Sequence, residues 1–106
     1  MPEIPDPYAA AIEATDGVNL KGKANPYTSM NGHMFSFLSK EGDVCFRYAE
    51  PRRKELADEF GVAEVRAHGA VMRGYVAMPD HVLADPIRLK ALFAESLAYI
   101  QTLKPK

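Results

Sequence analysis

Histidines 33, 68 and 81 are the side chains best suited to hold a metal ion or carry a proton near neutral pH. Their spacing prepares neither role. No two of His33, His68 and His81 stand four apart on one helix face or two apart on one strand, and the single cysteine adds no soft ligand set. No metal site is expected. His33 beside a tight turn and His81 after Pro79-Asp80 read as surface residues, and His68 in Ala67-His68-Gly69 reads as a loop histidine. Cys45 would need a base to become a nucleophile, and Arg47, two residues along, is not one. It reads as a small, partly buried strand residue. Ser29, Ser36 and Ser96 lack the GxSxG turn that exposes a nucleophilic hydroxyl. Lys21-Gly22-Lys23-Ala24-Asn25-Pro26 lacks the glycine spacing and the Lys-Ser/Thr pair of a phosphate-binding loop. Asp58 with Glu59, and Asp80 with Asp85, show no arrangement that would drive two carboxylate pKa values apart. The expectation is therefore a non-enzymatic protein without a cofactor.

Composition narrows the remaining classes. With 106 residues and 47% hydrophobic content, the chain fits one domain spanning 1–106, able to bury roughly two-thirds of its unfolded surface. A formal net charge of −1 gives no excess of Lys and Arg to follow a phosphate backbone or an anionic membrane, so direct nucleic-acid binding and membrane association are not expected. One cysteine excludes an internal disulfide. The start, MPEIPDPYAA, carries acids and prolines where a secretory signal needs positive charge followed by an apolar run. A cytoplasmic location is the expectation.

The elements that would position any site are marked by their ends. Asp6-Pro7 opens a short helix to about Thr15, with Tyr8 and Ile12 on one side and Gly17 as its stop. Val18 to Lys23 is an edge strand or a connector. Glu50-Pro51 opens a second helix ending at Gly61, with Arg52, Arg53 and Lys54 at the positive end of its dipole. Val62 to Val65 and Val71 to Met78 read as strands, the second interrupted at Gly74 and ended by Pro79. Asp85-Pro86 caps a final helix carrying Leu89, Leu92, Phe93, Leu97, Ile100 and Leu103 at helical spacing.

Between the first two helices, NPYTSMNGHMFSFLSKEGDVCFRY (about 25–48) reads as a three-stranded antiparallel meander. Asn31-Gly32 predicts a type I′ turn, with Met30 facing His33, Ser29 facing Met34 and Thr28 facing Phe35. Ser39-Lys40-Glu41-Gly42 predicts a four-residue loop, with Leu38 facing Asp43, Phe37 facing Val44, Ser36 facing Cys45 and Phe35 facing Phe46. These registers give a core face of Thr28, Met30, Phe35, Phe37, Val44 and Phe46, covered by helices. The opposite, mixed face holds Tyr27, Ser29, Met34, Ser36, Leu38, Cys45 and Arg47. The fold class expected is α+β, two layers, an antiparallel sheet against N- and C-terminal helices.

The stretches PYTSMNGHMFSFL, DVCFRYA, AHGAVMRGYVAMP and FAESLAYIQTLKPK resemble the TfoX N-terminal domain family of the TfoX/Sxy group. The resemblance covers most of the chain and rests on Met34-Phe35, Phe46-Arg47 and the late strand, proline and amphipathic helix. It implies a two-layer, secretion-chaperone-like α+β fold, a bacterial source and a regulatory role exercised through protein contacts. It brings no catalytic position. Where many members read closer to MFGG in the first strand, this chain has PYTSMNG.

Residues and resemblance together point to Tyr27, Ser29, Met34, Cys45 and Arg47 as a candidate interaction face, for a protein partner or a homodimer. The alternative is a small-ligand-binding protein or an unrecognised enzyme with a helix–sheet pocket near Arg47 or His68. Nucleic-acid accessory function has only the Arg52 to Lys54 cluster behind it.

Overall fold

The computed structural model describes residues 4–22, 26–62, 65–67 and 70–105. Helix α1 spans Asp6–Glu13, one residue earlier than the Asp6 cap predicts, because Pro5 takes the extended cap position and Pro7 falls within the first turn. Strands β1 (Tyr27–Met30), β2 (His33–Leu38) and β3 (Val44–Arg47) follow. Helix α2 (Glu50–Phe60) ends on Gly61 at φ 64°, the left-handed stop expected of that glycine. Short strands β4 (Arg66–Ala67) and β5 (Ala70–Val71) pair as a separate hairpin. Strand β6 (Tyr75–Ala77) leads into α3 (Asp80–Leu83) and α4 (Pro86–Gln101), whose first turn is capped by the Asp85 carboxylate accepting from the Arg88 N–H at 3.2 Å. His81 lies exposed on the one-turn α3. The strand expected over Val62 to Val65 falls partly outside the described residues, as does Lys23. Of the preceding connector, Lys21 forms a single bridge to Tyr27.

The sheet is antiparallel in the order β1-β2-β3-β6, so the meander gains a fourth strand. The strand expected over Val71 to Met78 is cut in two. Gly74 sits at φ 87° in a turn closed by Tyr75 N–H donating to the Met72 carbonyl at 3.4 Å, and that backbone cannot continue a ladder.

Both meander turns form, but the second is one residue tighter than expected. Asn31 and Gly32 take φ 54° and 83°, as a type I′ turn requires, and Met30 faces His33 with Ser29 facing Met34. Ser39 N–H, however, bonds the Asp43 carbonyl at 2.9 Å, leaving Lys40, Glu41 and Gly42 as a three-residue loop with Gly42 at φ 90°. Leu38 then pairs with Val44, Phe37 with Cys45 and Ser36 with Phe46. This one-residue shift exchanges faces: Ser36 and Leu38 belong to the helix-covered side, and Phe37 to the other.

The two turns impose opposite parity on β2, and a bulge reconciles them. The β1–β2 register jumps between Ser29 opposite Met34 and Thr28 opposite Ser36, leaving Phe35 as the extra residue. Phe35 and Ser36 consequently both face the helices. Phe35 packs its ring 5.3 Å from Phe93, and Ser36 Oγ lies 2.7 Å from Tyr8 OH. Thr28 and Phe46 keep the buried positions expected of them, as do Phe35 and Val44.

The main core lies between this face and the helices, with Tyr8, Phe35, Phe46, Leu56, Leu89 and Phe93 inaccessible to solvent. Phe93 sits at its centre, 5.4 Å from Phe46 and 6.4 Å from Tyr8 in edge-on contacts. Leu97 and Leu103 pack at the margin, only partly buried. Phe93→Ala should therefore cost about 3–5 kcal/mol in urea unfolding, whereas Ile87→Ala, at an 84% exposed position of the same helix, should stay within about 0.5 kcal/mol of wild type. Equal losses in the two variants would contradict this packing.

Candidate functional site

The sheet face away from α1 and α4 carries a second apolar cluster of Phe37, Cys45, Val65 and Tyr75, with Tyr27, Met34, Met72 and Ala77 packed against it. Strand pairing explains the grouping: Tyr27 faces Phe37, Phe37 faces Cys45, and Cys45 faces Ala77. Phe37 and Tyr75 meet edge to face at 5.1 Å, and Tyr75 OH donates to the Met34 carbonyl at 2.8 Å. The covering layer on this side is the chain's own arm. Val65 and Met72 flank the β4–β5 hairpin and close its base through Met72 N–H donating to the Val65 carbonyl at 2.8 Å.

Of the five residues proposed from sequence, Tyr27, Met34 and Cys45 are gathered in this cluster. Ser29 sits beside them on β1, opposite Met34, and its hydroxyl accepts from Lys21 Nζ at 3.2 Å. Arg47 faces Tyr75 at the β3–β6 end of the sheet. Tyr27, Ser29, Met34 and Arg47 keep part of their surface, but Cys45 is only 1% exposed and cannot meet a partner directly. The sequence reading missed Phe37, Tyr75 and Met72 here. The parity of the second turn hid Phe37, and nothing in the sequence pairs Val71 to Met78 with β3.

Arginine pairing divides the molecule. On the helices, Arg52 donates to both Glu95 carboxylate oxygens at 2.7 and 3.3 Å, Arg53 to Glu50 at 2.7 and 3.0 Å, and Arg88 to Glu59. The hydrogen bonds from Arg53 and Arg88 hold the Glu50 and Glu59 carboxyls below their ordinary range. The cluster at the start of α2 thus has two of its three charges matched by carboxylates. Among the described residues, neither Arg47 nor Arg73 has a carboxylate partner. The Arg47 stem lies along the Gly74 backbone: a Cβ built on Gly74 would stand 3.6 Å from Arg47 Cγ. His33 Nε2 lies 2.7 Å from the Lys104 carbonyl, His81 edges the Phe60 ring at 6.0 Å, and His68 falls outside the described residues. No group of three potential metal ligands occurs among the described residues.

Beside this face, a cleft of about 520 Å³ opens between the first turn of α2 and the β5–β6 turn. Val65, Val71, Met72 and Tyr75 give it an apolar wall, and Glu50, Arg53 and Arg73 a charged rim.

Burial pushes the Cys45 thiol up from 9.0 to about 12, helped by the charges of Asp43 and Glu41. It is a neutral thiol at physiological pH, the opposite of an activated nucleophile. Native Cys45 should react with a disulfide reagent at pH 8 about a thousandfold more slowly than an unfolded control, and reaction within minutes in native buffer would overturn this. The same shift fixes a pH dependence. Between 9.0 and about 12 the unfolded chain releases a proton that the folded chain retains, so stability should fall as pH rises through that window and be unaffected by this group below it. Tyr75, raised by burial from 10.0 to about 12, acts in the same sense. Urea midpoints measured from pH 7 to 11 check the sign, and Cys45→Ala should flatten the profile.

No protein-family model, no curated protein and no solved structure matches this chain.

Proposed function

We propose that the chain is a non-enzymatic regulatory module of the TfoX N-terminal type, acting in the bacterial cytoplasm by holding an acidic segment of a protein partner against its second sheet face. The observation that carries this reading is the division of arginines. Every described helix arginine is matched to a carboxylate, whereas Arg47 and Arg73 present guanidinium groups with no carboxylate partner among the described residues, beside partly exposed Tyr27, Met34 and Met72. Guanidinium forks next to aromatic and thioether side chains suit carboxylates carried on an apolar segment.

The sheet edges favour side-chain contact over strand addition. The Tyr27 backbone on β1 is already bonded in both directions to Lys21, at 2.8 and 2.9 Å, and β6 is three residues long. Among the described residues, no helix is long and apolar enough to cross a membrane.

Arg47→Glu should abolish capture of a polypeptide that wild type retains, while Lys54→Glu, on exposed α2 surface, should leave capture within about twofold of wild type. The captured species should also release as ionic strength rises. Indistinguishable capture by wild type and Arg47→Glu would overturn the reading, and so would sedimentation showing that the species retained is a second copy of this chain.

A further inference from the structure

The geometry points to the cleft between α2 and the β5–β6 turn as a binding site for a small amphipathic anion, a carboxylate carried on a medium-length aliphatic or aromatic body. Its volume of about 520 Å³ falls in the range of pockets that enclose small ligands, roughly 300–1,000 Å³. Chemistry divides along its wall. Val65, Val71, Met72 and Tyr75 supply apolar surface, with Val71 37% exposed and so accessible to a ligand. A ligand lying on Val71 and Met72 would remove that surface from water.

The charge at the mouth selects the sign of the head group. Glu50 also lines the cleft, but both its oxygens accept from Arg53, so that pair is close to neutral. Arg73 is exposed at the rim and has no carboxylate partner among the described residues, and Arg47 extends along the other side of Gly74. A carboxylate at the mouth would gain charge-assisted hydrogen bonds without displacing an existing ion pair. A cation would meet the Arg73 guanidinium, which has no carboxylate partner among the described residues. Gly74 leaves its part of the lining free of a side chain, at φ 87° where other residues are strained.

The cleft shares Arg73 and Met72 with the face proposed for a protein partner, but it is tested separately, on the isolated chain with no partner present. Decanoate, kept below its micellar concentration, is titrated into the ¹⁵N-labelled protein, with n-decanol as the uncharged control. Saturating amide shifts centred on Met72, Arg73, Gly74 and Tyr75 are expected. The double variant Arg47→Gln/Arg73→Gln, whose spectrum should otherwise overlay that of wild type, should bind decanoate about tenfold more weakly. Three results would overturn the proposal: no saturation up to the solubility limit, saturation centred on another face, or equal affinity of wild type and double variant for decanoate. Should the double variant fail to fold, equal wild-type affinity for decanoate and decanol would overturn it instead.

Discussion

The bulge at Phe35 is the constraint on which the rest of the sheet depends. A type I′ turn at Asn31-Gly32 and a three-residue loop at Lys40–Gly42 each fix which face of β2 is inward, and their demands disagree by one residue. Without an inserted residue, one of the two hairpins would turn its apolar side chains to solvent. Placing the extra residue at Phe35 lets both hairpins keep their preferred turns. It also puts two consecutive side chains under the helices: an aromatic ring against Phe93 and a hydroxyl against Tyr8.

That doubled inward position explains why a cluster of hydroxyls is buried in the core. Ser36 Oγ lies 2.5 Å from Thr28 Oγ1 as well as 2.7 Å from Tyr8 OH, so three buried hydroxyls satisfy one another. Ser96, on the inner face of α4, donates to the Arg47 carbonyl at 2.5 Å and reaches the Phe35 carbonyl at 3.4 Å, at the bulge itself. Tyr48 OH donates to the Leu92 carbonyl at 2.8 Å. Among the described residues, no buried side-chain polar atom lacks a partner. Apolar burial holds helices to sheet without direction, whereas these bonds set where α1 and α4 lie along it.

Elements whose ends carry local chemistry could be read from the sequence, and relations between elements could not. Asp85-Pro86, Gly61 and Asn31-Gly32 each act on the backbone immediately beside them, and each appears where expected. The second hairpin depended on whether Ser39 pairs with Asp43 or belongs to the loop. Gly42 is left-handed either way, so composition did not separate the two. That ambiguity moved Phe37 from the core to the second cluster and brought Ser36 and Leu38 inward. Phe35 stayed in the core because the bulge cancelled the slip. Of the candidate face, Tyr27, Met34 and Cys45 were grouped correctly because the parity of their own strands survived. Cys45 was expected to be partly buried, and its near-complete burial was hidden, since the arm that contributes Val65 and Met72 is distant in sequence and only two residues long in each strand.

The same arm explains why charge is left over where it is. Helix arginines find partners because neighbouring helical turns bring carboxylates within reach, as with Glu50 and Arg53 three residues apart. A strand offers no such neighbour. Arg47 projects from β3 opposite Tyr75, and the residue beside it across the turn is glycine. Its cation is held by packing of the stem and by the Tyr75 side of the sheet, with no carboxylate among the described residues to neutralise it. Replacing Gly74 by any larger residue would strain the turn through its φ of 87°, while a Cβ there would only touch the Arg47 stem at van der Waals distance, 3.6 Å from Cγ. One glycine therefore ends the ladder, lies against the arginine stem and lines the cleft, linking the break in the strand to the partly exposed charge beside it.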